Sequence, residues 1–218
     1  MRHVLITGAT RGIGKACSEY FTAREWAVTA VARTVSDLDG MQQQWSEHYP
    51  GRRLHTVTAD LATAVGVNAI PATNYDAIIL NAGAYRPGRL VDEEDVFTSL
   101  LQLNLLGNYR LARRLLPALV QEGHGHLVLL GSTGTDDWLP HMTAYTASKY
   151  ALRGLFLGLE KDLMGTGVRC SLIAPAATLT SSWDDEPEVP ENILPPETVA
   201  RAVWEAVAGG RTGRIVVK

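Results

Sequence analysis

The stretch TGATRGIG, residues 7–14, follows the apolar run HVLI and opens onto KACSEYFTARE, whose pattern predicts a helix. Gly8, Gly12 and Gly14 sit at one strand-to-helix bend, with Arg11 among them. In an open parallel sheet, ligands gather beyond the carboxyl ends of the strands. At such a bend Gly8 can take a tight turn without a Cβ clash, Gly12 lets the main chain approach a ligand, and Gly14 lets the helix pack on the strand. The helix start offers amide N–H groups and a positive dipole end to a phosphate. The spacing is G-x-x-x-G-x-G rather than the general dinucleotide pattern G-x-G-x-x-G, so the rest of the chain has to decide.

Outward from that bend, apolar runs of strand length alternate with helical patterns. Strands are predicted at 3–7, 27–32, 54–58, 77–80, 126–130, 169–173 and 214–217. Runs such as AIIL and LVLL are continuous, as strands covered on both faces require. Helices are predicted at 13–25, 36–47, 94–122 with a break, 144–164 and 197–207. Alternation of this kind implies right-handed crossovers and an α/β fold: a doubly wound parallel sheet of about seven strands with helices on both faces. The segment between Asp60 and the fourth strand is short, so that crossover helix is expected to be reduced or absent. Residues 1–218 read as one domain without repeats or linkers. Residues 181–196, with four prolines and five acids, read as an exposed substrate lid.

Composition excludes several classes. With 218 residues, 46% hydrophobic and 20% charged, the chain is ordinary for a globular protein. A net charge of -3 argues against nucleic acid or an anionic membrane as partner. No apolar run approaches the roughly 20 residues that span a bilayer. No signal peptide is visible ahead of HVLIT, and a cytoplasmic location is expected. Cys17 and Cys170 lack the spacing of a zinc site or redox pair and read as small buried residues; no metal site is expected.

The chemistry-bearing residues come later. Tyr145 and Lys149, in YTASK, are four apart on a predicted helix and share a face. An ammonium beside a phenol favours the phenolate and lowers a pKa that starts near 10, which suits an acid or base near neutrality. Ser132 follows the apolar strand HLVLL, and Asn81-Ala82-Gly83 follows AIIL, so both lie at carboxyl ends of strands.

Taken together, TGATRGIG, NAG at 81–83, Asn104 in LNLLG, Ser132 and YTASK resemble the short-chain dehydrogenase/reductase family, in order and approximate spacing over essentially the whole chain. The resemblance implies a Rossmann-like sheet, a nicotinamide cofactor, and hydride transfer between cofactor and a carbonyl or alcohol carbon. It implies Tyr145 as acid/base, Lys149 as the residue that lowers the tyrosine pKa and holds the nicotinamide ribose, and Ser132 as the hydroxyl that polarises the substrate oxygen. Asn104 matches the residue that holds a water linking Lys149 to solvent. Asn81 and Gly83, with Ala82 between, match positions that support the sheet beside the adenosine ribose. Asp60 matches a carboxylate that accepts from the adenine amino group, with a helix N-cap as the alternative. Thr10, Ile13, Leu61 and Pro175 complete the cofactor set. Family members pair through helices corresponding to 94–122 and 144–164, which implies a homodimer, with a tetramer as the alternative.

Arg33 ends the second strand where an NAD-preferring relative carries an acid for the ribose 2′-hydroxyl. With Arg11 it can clamp a 2′-phosphate, so NADP(H) is expected over NAD(H). After the sixth strand many family members have Pro-Gly and then a threonine for the carboxamide. This chain reads Pro175-Ala176-Ala177-Thr178-Leu179-Thr180, so the turn is expected to differ, with Thr180 at the usual spacing and Thr178 a competitor. Tyr85, Arg86, Trp138, Leu139, His141, Met142 and Trp183 are candidate walls for the substrate. The leading expectation is NADPH-dependent carbonyl reduction of a small molecule. An NAD-dependent alcohol dehydrogenase and a non-catalytic nucleotide-binding regulator are the alternatives.

Overall fold

The computed structural model describes residues 1–87, 91–137, 140–184 and 189–218. Seven strands form one sheet: β1 (His3–Thr7), β2 (Ala27–Ala32), β3 (Leu54–Thr58), β4 (Ala77–Leu80), β5 (Gly125–Leu130), β6 (Val168–Pro175) and β7 (Gly213–Val217). Their order is β3-β2-β1-β4-β5-β6-β7, and every pairing is parallel. The helices are α1 (Gly12–Thr22), α2 (Val35–His48), α3 (Ala64–Ala69), α4 (Val96–Leu101), α5 (Asn108–Glu122), α6 (Thr143–Asp162) and α7 (Pro196–Gly209). The expected doubly wound sheet and each expected strand are present. The short crossover into β4 holds the six-residue α3.

Strand alternation divides the core into two layers. Val4 and Ile6 of β1 face a cluster with Cys17, Phe21, Val199 and Val203, whereas Leu5 faces Leu111, Leu115, Leu152 and Phe156. Each such fully buried side chain contributes roughly 1.5–3 kcal/mol of transfer free energy, which is why both faces need helices. On the first face α1 packs against α7 through rings: Phe21 and Trp204 lie 5.2 Å apart, and Trp26 and Trp204 5.9 Å. Both cysteines are buried and unpaired, and burial pushes each thiol up to about 12.

The order of chain reverses between β1 and β4, and a crevice opens above that switch point. Asn81 closes its floor: its Nδ2 donates to Thr7 O at 2.8 Å, and the Thr7 hydroxyl accepts from the amides of Asn81 and Ala82. The helix expected at 94–122 is continuous but not uniform. Asp95 caps α4, and a π-helical turn at Gln102–Gly107 joins α4 to α5. The extra residue in that turn swings Asn104 inward, where it is fully buried.

His126 in β5 gives the fold an acid limit. The Ser171 hydroxyl donates to Arg211 O at 2.7 Å, so at 2.6 Å it accepts from His126 Nε2–H. His126 Nδ1 is left buried with no partner among the described residues. Burial and nearby Arg169 lower the imidazole pKa from 6.5 to about 4. The unfolded chain therefore binds a proton near pH 6.5 that the folded chain refuses until about 4. Stability is present above 6.5 and lost as pH falls across that window, by roughly 3 kcal/mol in all. His126→Gln, which keeps an N–H for Ser171, should flatten this. Melting curves of both proteins between pH 7 and 4 check it, and equal slopes would refute the assignment.

Candidate active site

A cleft of about 510 Å³ occupies the crevice. Every site residue named from the sequence lines it except Gly14, Asp60 and Asn104. The glycine turn shapes one end. Gly14 lies behind the turn, where a Cβ would sit 2.0 Å from Gly8 O, so its role is packing of α1 on β1 as expected. Gly12 has φ +51, and a Cβ there would meet the Thr180 side chain at 2.9 Å. The close approach at Gly12 is therefore to Thr180, across the cleft from β6. The Arg11 side chain does not cap α1, and no acid lies in its first turn. Its first amides thus have no intrahelical or side-chain partner, and Gly12 and Ile13 line the cleft, as a phosphate site needs. Arg11 and Arg33 are both exposed along the same wall. Thr34 and Asp37 join them there, unforeseen because their placement depends on how α2 starts.

Asp60 does not line the cleft; Ala59 and Leu61 on either side do. Its Oδ1 accepts from Ala62 N at 3.0 Å, and the N-cap of α3 is Thr63 rather than Asp60. Ala176 has no positive φ. Its amide continues the ladder, donating to Val217 O at 2.9 Å, which is why alanine suits the turn. Thr178 donates to Ala176 O at 2.9 Å, and Thr180 Oγ1 accepts from Ser182 N at 3.3 Å.

The other end holds the reactive groups. Ser132 Oγ accepts from Gly134 N at 3.0 Å and hydrogen-bonds the Tyr145 phenol. Lys149 is buried beneath; its Nζ donates to Leu130 O at 3.0 Å and lies 5.8 Å from the Tyr145 ring centroid. Burial lowers the Lys149 pKa to about 8. The sequence reading expects a lowered phenol pKa. The structure raises it instead: burial dominates, Tyr85 adds to it, and only the Ser132 hydrogen bond opposes. Asn104 is fully buried and does not line the cleft. Its Oδ1 accepts from Ala84 N at 2.8 Å, and its Nδ2 donates to Ala84 O at 3.0 Å and Ser148 Oγ at 2.9 Å. It clamps the post-β4 loop to α6. Asn108, not anticipated, extends the clamp by donating to Asn104 O at 2.8 Å; its signal was the i, i+4 repeat of asparagine in NLLGN.

Among the expected substrate walls, Tyr85, Met142 and Trp183 line the cleft. Arg86 instead pairs with Glu94 at 2.9 Å, and exposed His141 does not line it. Trp138 and Leu139 lie outside the described residues, as do 185–188 of the expected lid.

Residues 2–191 match the family model described as short chain dehydrogenase. This chain belongs to the short-chain dehydrogenase/reductase family. It is 31% identical over 183 residues to dehydrogenase/reductase SDR family member 7B of Bos taurus, a match covering 79% of this chain but 56% of that protein. Against the sepiapterin reductase of Chlorobaculum tepidum, identity is 29%, covering 94% of this chain and 90% of the other. A short-chain dehydrogenase from Sphingobium yanoikuyae, solved in complex with NADPH, superposes with a TM-score of 0.90 at 26% identity, over 99% of this chain and 87% of that one. The chain spans about half the length of the mammalian curated relatives it matches, and its seven-strand sheet is the fold of solved family members. Among the described residues no helix is long and apolar enough to cross a membrane, and no cluster of His, Cys, Asp and Glu could hold a metal.

Proposed function

We propose that this protein reduces a carbonyl compound to an alcohol with NADPH, Tyr145 serving as the general acid. The observation that carries the reading is the meeting of Tyr145, Ser132 and Lys149 in one cleft with a glycine turn whose helix amides face inward. The arrangement fits a dinucleotide: Gly8, Gly12 and the start of α1 would hold the pyrophosphate, and Lys149 and Thr180 would flank the nicotinamide end. When bound, that cofactor supplies a hydride to the carbonyl carbon. Tyr145 gives its phenolic proton to the carbonyl oxygen, which becomes the hydroxyl. Its raised pKa keeps that proton in place near neutrality, the state a reductase needs before each turnover. Ser132 hydrogen-bonds the same oxygen and orients it. Lys149, cationic below about pH 8, stabilises the phenolate left behind. Asn104 acts as a positioning residue through Ala84 and Ser148.

Arg11 and Arg33 support NADPH over NADH, since two exposed guanidinium groups can clamp a 2′-phosphate. The solved relative with NADPH bound is consistent with this choice. A panel of aldehydes, ketones and quinones, read by NADPH consumption, tests the activity; no turnover across the panel would refute it. Arg33→Asp should weaken NADPH use about tenfold to a hundredfold and improve NADH use, as loss of one charge-assisted pair predicts. An unchanged cofactor ratio would remove Arg33 from the role.

A further inference from the structure

The substrate end of the cleft is built from rings. Trp183 stacks on Tyr85 with centroids 5.5 Å apart and planes 30° from parallel. Tyr85 in turn meets Tyr145 edge-on at 5.1 Å and 68°. Trp183 Nε1 donates to Thr178 O at 3.0 Å, which fixes the indole on the arch that follows β6. Three rings thus run as one wall that ends at the reacting phenol. Buried Met142 lines the same cleft.

Charge is divided along the cleft. Arg11 and Arg33 stand at the β1 and β2 ends with Asp37, leaving that end net cationic. Lys149 is buried and donates to Leu130 O. At the Ser132 end the charged residue among the described lining is exposed Asp137, in the loop after β5. Among the described lining residues, no further cation faces a substrate carboxylate there.

We propose that this cleft selects aryl carbonyl compounds that are neutral or cationic, with Trp183 and Asp137 as the specificity-determining residues. The proposal rests on the reductase reading above. An aryl ring whose carbonyl reaches Tyr145 continues the ring wall, which an alicyclic group of similar size cannot do. Asp137 attracts a cationic substituent and repels an anionic one.

The test is calorimetric titration of the enzyme loaded with NADP+, using acetophenone, cyclohexyl methyl ketone, 4-acetylbenzoate and 4-acetyl-N,N,N-trimethylanilinium. Acetophenone should bind about tenfold tighter than the cyclohexyl ketone. Trp183→Leu should erase that preference, and Trp183→Tyr should keep most of it. The trimethylanilinium should bind about tenfold tighter than the benzoate at low salt, and less so at high salt. Asp137→Asn should bring the two within about twofold. Equal binding of aryl and cyclohexyl ketones, an aryl preference that survives Trp183→Leu, or a charge order that survives Asp137→Asn would overturn the proposal. Failure of all four ketones to bind would do the same. NADPH turnover separates the two readings. Ketones bound in the stated order but never reduced would sink the reductase reading alone. Reduction of other carbonyls without that order would sink the aryl proposal alone.

Discussion

Tyr145→Phe should lower kcat by about a hundredfold to ten-thousandfold while NADPH binds as before. The substitution removes one oxygen from a side chain whose ring keeps its edge-on contact with Tyr85. Packing is conserved, so the loss should appear in turnover and not in melting temperature. What disappears is the proton for the nascent alkoxide. Ser132 can still hydrogen-bond that oxygen, but an aliphatic hydroxyl is a far weaker acid than a phenol and does not replace the lost proton. The wild-type profile carries a second signature. Lys149 gives up its proton at about 8, so its support for a phenolate is full below that pH and lost above it. The rate of reduction should turn down above about pH 8, and the Phe variant should lack that limb. Steady-state rates and fluorescence titration of NADPH check both parts. A Phe variant with near-normal turnover would move the acid elsewhere.

The second large effect is expected at Gly14. A Cβ there would lie 2.0 Å from Gly8 O, 2.6 Å from Asn81 Nδ2 and 2.7 Å from Gly8 C. Two of those atoms are backbone, and Asn81 is tied to Thr7 O and Gly8 O, so nothing can swing aside. Gly14→Ala must push α1 off the end of β1. We expect a stability loss of about 3 kcal/mol or more, as overpacking of a rigid site costs. NADPH affinity should fall about a hundredfold, because the inward-facing amides move away from the pyrophosphate. Gly40→Ala is the control. It lies inside α2 with nothing within 4 Å of the added carbon. It should stabilise the protein by about 0.5–1 kcal/mol through helix propensity. Thermal melts and NADPH titration of the two variants decide the matter; equal effects would show that the clash is relieved.

The strands were readable because burial on both faces leaves them as unbroken apolar runs, AIIL and LVLL being the clearest. Helix ends were readable to within two or three residues from where the helical apolar pattern stops. The glycine turn, Ser132 and the Tyr145–Lys149 pair were readable from their positions just past strands and one helical turn apart. Other features depend on contacts that no local pattern encodes. The π turn at Gln102–Gly107 brings Asn104 to Ala84, twenty residues away in sequence. The fit of Ala176 depends on an amide bond to the last strand. The direction of the Tyr145 pKa depends on burial, which outweighs the Ser132 hydrogen bond and which no local spacing encodes.

The packing of α1 on α7 has a consequence for how the molecule folds. The helix that starts at the glycine turn is seated by Trp204 through Phe21 and Trp26. Those residues are far apart in sequence, and a contact that closes a long loop is slow to form. The start of α1 therefore takes its final place only once that loop has closed.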